Sequence, residues 1–158
     1  MKIGVASEHR GFSAKAKILS QVTELEHEAL DFGPSNSDTC DYPDYGTKAA
    51  QAVSSGNVDR AILIGGTGIG MSILANKFRR VRAAVCYDEV SAEMSRRHND
   101  ANVLCLSADL LNEELASRMV QVWLSTPFDG GHHARRIAKI DHYEDEIKSR
   151  GHSATSQT

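Results

Sequence analysis

Short apolar runs alternate with segments of helical spacing along most of this chain. Each run is rich in β-branched residues and is bounded by polar or glycine-containing stretches, a pattern typical of strands buried on both faces of a sheet. The runs occupy residues 2–6, 28–32, 60–64, 82–86 and 102–106. They predict about five strands.

The segments between these runs repeat apolar residues every three or four positions, as amphipathic helices do. Two examples are Phe12, Ala16, Leu19 and Val22, and Leu111, Leu115, Met119 and Val122. Because strands alternate with helices, we expect an α/β protein with a doubly wound parallel sheet covered by helices on both faces.

The last helical segment, residues 133–150, has an apolar stripe opposite a highly charged face. The stripe consists of Ile137, Ile140, Tyr143 and Ile147. Such a helix packs either on a partner subunit or on its own domain, and the sequence leaves both open. We predict one domain over residues 1–149 and a disordered polar tail over 150–158.

Composition narrows the classes of partner. The chain has 158 residues, of which 41% are hydrophobic, and a net charge of -3. This mild acidity favours neither nucleic acid nor an anionic membrane as partner, and no apolar run is long enough to cross a bilayer. The N-terminal residues also lack the apolar stretch of a secretory signal, so we expect a cytoplasmic protein. Cys40, Cys86 and Cys105 show no metal or redox spacing, so we expect reduced thiols.

Two unusual stretches follow the first and third predicted strands. Residues 7–11 read Ser-Glu-His-Arg-Gly, and residues 65–70 contain four glycines in Gly-Gly-Thr-Gly-Ile-Gly. Ligands of doubly wound sheets bind at the carboxyl ends of strands where the chain reverses direction, commonly between these two strands. A glycine-rich turn exposes amide groups to a phosphate or to an oxyanion formed during a reaction.

The glycine stretch also permits a nicotinamide-dinucleotide site. Gly66, Gly68 and Gly70 give a near match to the dinucleotide fingerprint, and Asp88 lies about 20 residues further on, as a ribose-binding acid should. A Walker loop is excluded, because Met71 stands where the lysine is needed.

Two further places hold ionisable side chains. His98 lies in a turn-rich stretch, where it is either a surface residue or an acid/base catalyst. The start of the last helix holds a basic cluster, which the helix dipole disfavours and an anionic ligand would stabilise. The members of this cluster are His132, His133, Arg135 and Arg136.

Four motifs resemble the ribose-5-phosphate isomerase B family, to whose superfamily the galactose-6-phosphate isomerase subunits also belong. They are GTGIGMSILANK at 66–77, SRRHNDANV at 95–103, DYP at 41–43 and GG at 130–131. The resemblance extends over residues 2–147. It implies a Rossmann-like fold, no metal or cofactor, and a homodimer or tetramer whose active site is shared between subunits.

The resemblance also implies the reaction and the residues that perform it. The family interconverts a phosphorylated aldose and ketose, most simply ribose 5-phosphate and ribulose 5-phosphate, through an enediolate. Position by position, it gives ring opening to His98 with its neighbour Asn99, and enediolate stabilisation to Thr67 and the amides of Gly66, Gly68 and Gly70. It gives phosphate contacts to His9 and Arg136, and the lining of the sugar site to Tyr42.

The chain departs from the family pattern at four positions. The catalytic base of the family is a cysteine at the place of Gly65 or a glutamate at the place of Met71; neither residue here accepts a proton. His132 replaces a phosphate-binding arginine, and Glu8 replaces an aspartate. We therefore take Glu8 as the candidate base. The alternative is a non-catalytic or partner-dependent subunit that binds sugar phosphate.

Overall fold

The computed structural model describes the backbone of residues 1–155 and the side chains of residues 1–147. It contains five strands, β1 Lys2–Ser7, β2 Glu28–Asp31, β3 Arg60–Gly65, β4 Ala83–Val85 and β5 Val103–Ser107. A 3₁₀ turn, His9–Gly11, follows β1. The helices are α1 Phe12–Glu24, α2 Tyr42–Ser55, α3 Ile69–Ala75, α4 Glu89–Asn99, α5 Glu113–Ser125 and α6 Gly131–Thr155.

The strands form one sheet in the order β2-β1-β3-β5-β4, and every neighbouring pair is parallel. The chain moves outward from β1 to β2, returns across β1 to β3, and then continues to the other side. The direction therefore reverses between β1 and β3, where a crevice opens at the carboxyl ends of the strands. The predicted Rossmann-like, doubly wound α/β fold is confirmed.

The central strands contribute side chains to two hydrophobic cores, one on each face of the sheet. Along β3, Ile62 and Ile64 point to one face, while Ala61 and Leu63 point to the other. The first core is closed by α1 and α5 with Val22, Met119 and Trp123, and the second by α2 and α3 with Ala49, Ala50, Val53, Met71 and Ala75. This alternation is why the central strands appear as continuous apolar runs in the sequence.

The sequence prediction that all five strands are buried on both faces is wrong for β2 and β4. Both lie at the edges of the sheet, and their residues are only partly buried or exposed. An edge strand has a neighbour on one side only and receives less cover from the helices. β4 is accordingly shorter than the run 82–86 that predicted it.

Helix α1 confirms the predicted helix but buries a different face. Lys15, Ile18 and Val22 point inward, whereas Ala16 is exposed. The cause is the Lys15 ammonium, which contacts both carboxylate oxygens of Asp31 at 2.6 and 2.7 Å and the carbonyl oxygen of Pro34 at 2.7 Å. A buried lysine is tolerated only with such partners, and periodicity of apolar residues cannot reveal it.

Helix α6 begins at Gly131 and contains the predicted stripe. Ile137 is buried against the domain, while Ile140, Tyr143 and Ile147 are exposed. Ile137, Ile140 and Ile147 line a mainly apolar groove of about 500 Å³ whose opposite wall includes Val81, Ala83, Ala84 and Ala101. The first turn of the stripe thus packs on its own domain, and the remainder leaves an uncovered apolar surface.

The predicted tail over 150–158 stays a prediction. Helix α6 includes residues 150–155, and residues 156–158 lie outside the described residues. Among residues 1–155, no helix is both long and apolar enough to cross a membrane.

Because the Lys15 ammonium is buried, the free energy of unfolding should depend strongly on Lys15 and much less on the exposed Lys17. Lys15→Ala should lower the free energy of unfolding by about 1–3 kcal/mol, because it leaves the Pro34 carbonyl and the half-exposed Asp31 without their cation. Lys17→Ala is the matched control, because the exposed ion pair of Lys17 with Glu113 should contribute less than about 1 kcal/mol. Urea unfolding of both variants measures the difference, and equal losses would contradict the assignment.

Candidate active site

A pocket of about 390 Å³ lies at the carboxyl ends of β1 and β3, where the strand order reverses. Three loops line it: the turn after β1, the loop after β3 and the segment that leads into α2. The lining residues are Glu8, His9, Arg10, Cys40, Asp41, Tyr42, Gly65, Gly66, Thr67, Gly68, Gly70 and Met71. Both unusual stretches of the sequence therefore meet in one cavity, as predicted.

The turn after β1 crosses closely over the end of β3. The amide of Glu8 donates to the carbonyl oxygen of Ile64 at 3.1 Å, and a Cβ on Gly11 would lie only 2.7 Å from the Ile64 side chain. Any larger residue at position 11 would push the turn away from β3. Glycine here allows the turn to place Glu8 and His9 beside the glycine-rich loop of residues 65–70, which we call the glycine loop.

Three carbonyl groups of the glycine loop accept hydrogen bonds from residues on the side away from the pocket. The carbonyl of Gly65 accepts from the Ala108 amide at 2.8 Å, that of Gly66 from the Ser107 hydroxyl at 2.7 Å, and that of Thr67 from the Tyr87 hydroxyl at 3.1 Å. The amides of Thr67 and Gly68 have no hydrogen-bond partner among the described residues. The loop is thus fixed with free donors, the arrangement that stabilises an oxyanion.

Two glycines of this loop are required by their surroundings. Gly68 has φ +79°, and a Cβ there would lie 3.0 Å from the carbonyl oxygen of Leu106. A Cβ on Gly70 would lie 2.9 Å from the ring of Tyr42, which covers the loop. These contacts place the ring of Tyr42 at the pocket wall, while the sugar-site role that the resemblance implies stays a prediction.

Gly65, at the place of the family cysteine, could accommodate a side chain. The nearest atoms to a Cβ there would be the Met71 Cγ at 3.3 Å, in a flexible side chain that can shift slightly, and the backbone of Gly68 at 3.8 Å or more. Met71 is buried beneath the loop. Neither Gly65 nor Met71 can accept a proton, so a catalytic base in this pocket would have to be another residue.

Glu8 and His9 form a hydrogen-bonded pair at the floor of the pocket. Glu8 Oε2 and His9 Nδ1 are 2.8 Å apart. The same Nδ1 lies 3.3 Å from the carbonyl oxygen of Cys40 and 3.4 Å from the Cys40 amide nitrogen. Glu8 Oε1 is buried without a partner in the part of the chain that the structure describes. This pair joins the turn after β1 to the segment that precedes α2.

An ion pair spans the mouth of the pocket. Arg10 Nη2 and Asp109 Oδ2 are 2.7 Å apart, and both side chains lie directly over Gly66. A Cβ on Gly66 would approach Asp109 to 3.1 Å. The pair therefore depends on the glycine beneath it and adds a cation to the rim of the pocket.

The remaining predicted site residues form a second group outside this pocket. The rings of His98 and His133 stack with centroids 4.3 Å apart and planes 9° apart, and the ring of His132 lies 3.9 Å from that of His133. Arg136 is exposed and makes no ion pair within the described side chains. The pKa of His133 is lowered, first by desolvation and then by His132, His98 and Arg136. An anion is the ligand that such a group favours.

A metal ion fits this second group poorly. His98, Asp129 and His133 offer ligand atoms within 4.8 Å of one another. However, the two rings are nearly parallel, so their nitrogen lone pairs point side by side instead of converging on one ion. Asp129 is also engaged, since both of its carboxylate oxygens accept from Arg97 Nε at 3.1 and 3.3 Å.

Other candidate residues of the sequence have structural roles. Asp88, the possible ribose-binding acid, caps α4 by accepting from the Ser91 amide at 2.6 Å. Its pKa is lowered mainly by these hydrogen bonds to Ser91. Cys86 and Cys105 are buried, and burial raises the pKa of both thiols. Asn99 is exposed and lines the groove beside α6, not the pocket.

Sequence reasoning missed three pocket residues and one contact. Arg10, Cys40 and Asp41 line the pocket but were given no role there, although Arg10 belongs to the stretch 7–11, Asp41 to the motif at 41–43, and Cys40 directly precedes that motif. Their places in or next to these stretches are the signal that could have found them. The stacking of His133 on His98 joins residues 35 positions apart and leaves no trace in a single sequence.

Comparisons with known proteins agree with this geometry. The model of the Ribose/Galactose Isomerase family matches residues 3–140. Ribose-5-phosphate isomerase B of Escherichia coli is 43% identical over 139 residues, which cover 88% of this chain and 93% of that protein.

Solved structures give the same picture. A ribose-5-phosphate isomerase B structure from Clostridium thermocellum has a TM-score of 0.90 and 46% identity, covering 93% of this chain and 99% of that one. A Mycoplasma genitalium ribose-5-phosphate isomerase B, solved with bound ribulose 5-phosphate, has a TM-score of 0.89 and 37% identity, covering 92% and 97%. With a family match over most of its length and relatives of this similarity, the chain belongs to the ribose/galactose isomerase family.

Proposed function

We propose that this protein is an aldose–ketose isomerase that interconverts ribose 5-phosphate and ribulose 5-phosphate. The observation that carries the proposal is the position of the free amides of the 66–68 loop beside the Glu8–His9 pair. Moving a proton between the two carbons next to a sugar carbonyl requires a base and an oxyanion site within one cavity. The relative that was solved with ribulose 5-phosphate supports this substrate class.

The roles follow from the two groups of residues. The amides of Thr67 and Gly68 stabilise the enediolate, Tyr42 borders the sugar, and the Glu8–His9 pair supplies the base function. His98 opens the sugar ring by proton transfer. Arg136, with His132 at the place of the family arginine, neutralises the phosphate. No resident cofactor takes part in this scheme.

The active site is shared between two copies of the chain. His98, Asn99, His132 and Arg136 do not line the pocket of their own chain, which supports a site that is completed by a second copy. The exposed apolar part of α6 and its groove supply a surface that a second copy can cover. We therefore propose a homodimer, able to pair into a tetramer.

We place it in the cytoplasm, where phosphorylated sugars are metabolised.

A second candidate function is a partner-dependent subunit. Gly65 and Met71 favour it, because the two positions that hold the base in the family are apolar here. In that case the chain binds sugar phosphate but needs a paralogous subunit for turnover.

Purified protein should convert ribose 5-phosphate to ribulose 5-phosphate without any added protein.

His98→Asn should lower turnover of the ring-closed substrate by about 10²- to 10⁴-fold, because ring opening is a proton transfer. Mixing inactive His98→Asn with the double variant Glu8→Gln/His9→Asn, which removes both members of the pair, should restore about a quarter of wild-type activity, since half of the dimers are hybrids with one intact site each. A mixture that stays inactive after subunit exchange would contradict the shared site.

The phosphate role of Arg136 is tested by comparing ligands. Arg136→Ala should weaken binding of ribose 5-phosphate by about 10- to 100-fold, as expected for a charge-assisted contact of about 1.5–3 kcal/mol, and barely change binding of ribose. Arg135→Ala, one position earlier on the same helix, is the matched control. Calorimetry measures both, and equal losses for the two sugars would make Arg136 structural.

Gly65→Cys separates the two candidate functions. The cavity accepts the new Cβ, so the variant should fold and place a thiol at the family position of the base. If the Glu8–His9 pair already provides the base, the added thiol should change turnover little. A gain of about 10²-fold or more would instead show a scaffold that lacks its base, in favour of the partner-dependent subunit. Initial rates of ribulose 5-phosphate formation give the answer, with Gly65→Ala, which adds the same Cβ without the thiol, as the matched control.

A further inference from the structure

Resting on the proposed function, we infer that His9 Nε2 is the atom that removes the proton from the substrate carbon, and that Glu8 is a positioning residue that orients it. This assignment differs from the phosphate contact that the resemblance implies for His9. It also moves the base from the Glu8 carboxylate to the neighbouring ring.

The contacts of His9 determine which of its nitrogens carries a hydrogen. Nδ1 faces two acceptors, Glu8 Oε2 at 2.8 Å and the Cys40 carbonyl at 3.3 Å, and one donor, the Cys40 amide, at 3.4 Å. The carboxylate is the closest and the only charged partner, so Nδ1 bears the hydrogen and donates it to Glu8. In the neutral ring, Nε2 then has a free lone pair.

Access to the pocket distinguishes the two side chains. The side chain of Glu8 is 7% exposed and its Oε1 is fully buried, whereas the side chain of His9 is 31% exposed. Nε2 makes no hydrogen bond to any described residue. Both residues line the cavity, but the imidazole edge is the more accessible of the two to a substrate that enters it. A base oriented by a buried carboxylate is a recurrent arrangement in enzymes.

The reaction balances with this single base. Nε2 takes the proton from C2 of the open-chain aldose, the C–H electron pair forms the C1=C2 bond, and the carbonyl electrons become the enediolate charge on O1. The amides of Thr67 and Gly68 stabilise that charge. The O2 hydroxyl proton then moves to O1, the C2 carbonyl forms, and the imidazolium returns its proton to C1. The ketose leaves with the ring and the carboxylate in their original states.

Two substitutions of His9 test the assignment against its rivals. In His9→Asn, the side-chain amide can occupy the place of Nδ1 and still donate to Glu8, but it cannot accept a proton. If His9 is the base, His9→Asn and His9→Ala should both lower kcat by about 10²- to 10⁴-fold with little change in KM. The primary isotope effect with ribose 5-phosphate deuterated at C2 should rise. Added imidazole should partly restore kcat in His9→Ala.

The control is His27→Asn, in the connection between α1 and β2 at the opposite end of the sheet from the pocket, and it should behave as wild type. If His9→Asn keeps near-wild-type kcat while His9→Ala loses it, Glu8 is the base and the inference is wrong. If both variants raise KM alone and imidazole restores nothing, His9 is a phosphate contact and the inference is again wrong. A wild-type protein that binds ribose 5-phosphate without turnover would overturn the proposed function itself.

Discussion

The close crossing of the turn after β1 over the end of β3 is the constraint on which the site depends. It is fixed by the hydrogen bond from the Glu8 amide to the Ile64 carbonyl and by the glycine at position 11. Parallel pairing of β1 and β3 sets the two strand ends side by side, but pairing alone would leave their loops free to diverge. The crossing holds Glu8 and His9 against the glycine loop, so that a carboxylate, an imidazole and free amides share one small cavity.

Rigidity of the glycine loop follows from contacts on the side away from the pocket. Ser107 and Ala108 at the end of β5, with Tyr87 after β4, hold three consecutive loop carbonyls. Because the carbonyls are held from behind, the amides can remain unpaired without the loop collapsing to satisfy them. Donors prepared in this way need little reorganisation when negative charge develops in the pocket.

Much of this architecture could be predicted from sequence, for identifiable reasons. The five strands and the crevice between β1 and β3 follow from apolar runs, alternation and the placement of glycines, which are local signals. The edge positions of β2 and β4 could not, because strand order is a property of long-range pairing. Nor could the inward face of α1, since the partner that makes a buried Lys15 tolerable, Asp31, lies on the next strand. The Glu8–His9 pair was visible as two adjacent residues, but its geometry depends on the backbone of Cys40.

In the proposed dimer, electrostatics connects the two groups of site residues. The pocket of one chain contains free amides and the rim cation Arg10, while the second group gathers His98, His132 and His133 with the exposed Arg136. Desolvation, and then the neighbouring His132, His98 and Arg136, lower the pKa of His133, so a proton on this ring is costly until negative charge arrives. In the proposed dimer, a sugar phosphate supplies this charge at one end and places its carbonyl at the amides at the other. Binding of the phosphate and protonation of the His133 ring are then coupled, because negative charge that enters the cluster favours the protonated form of this ring.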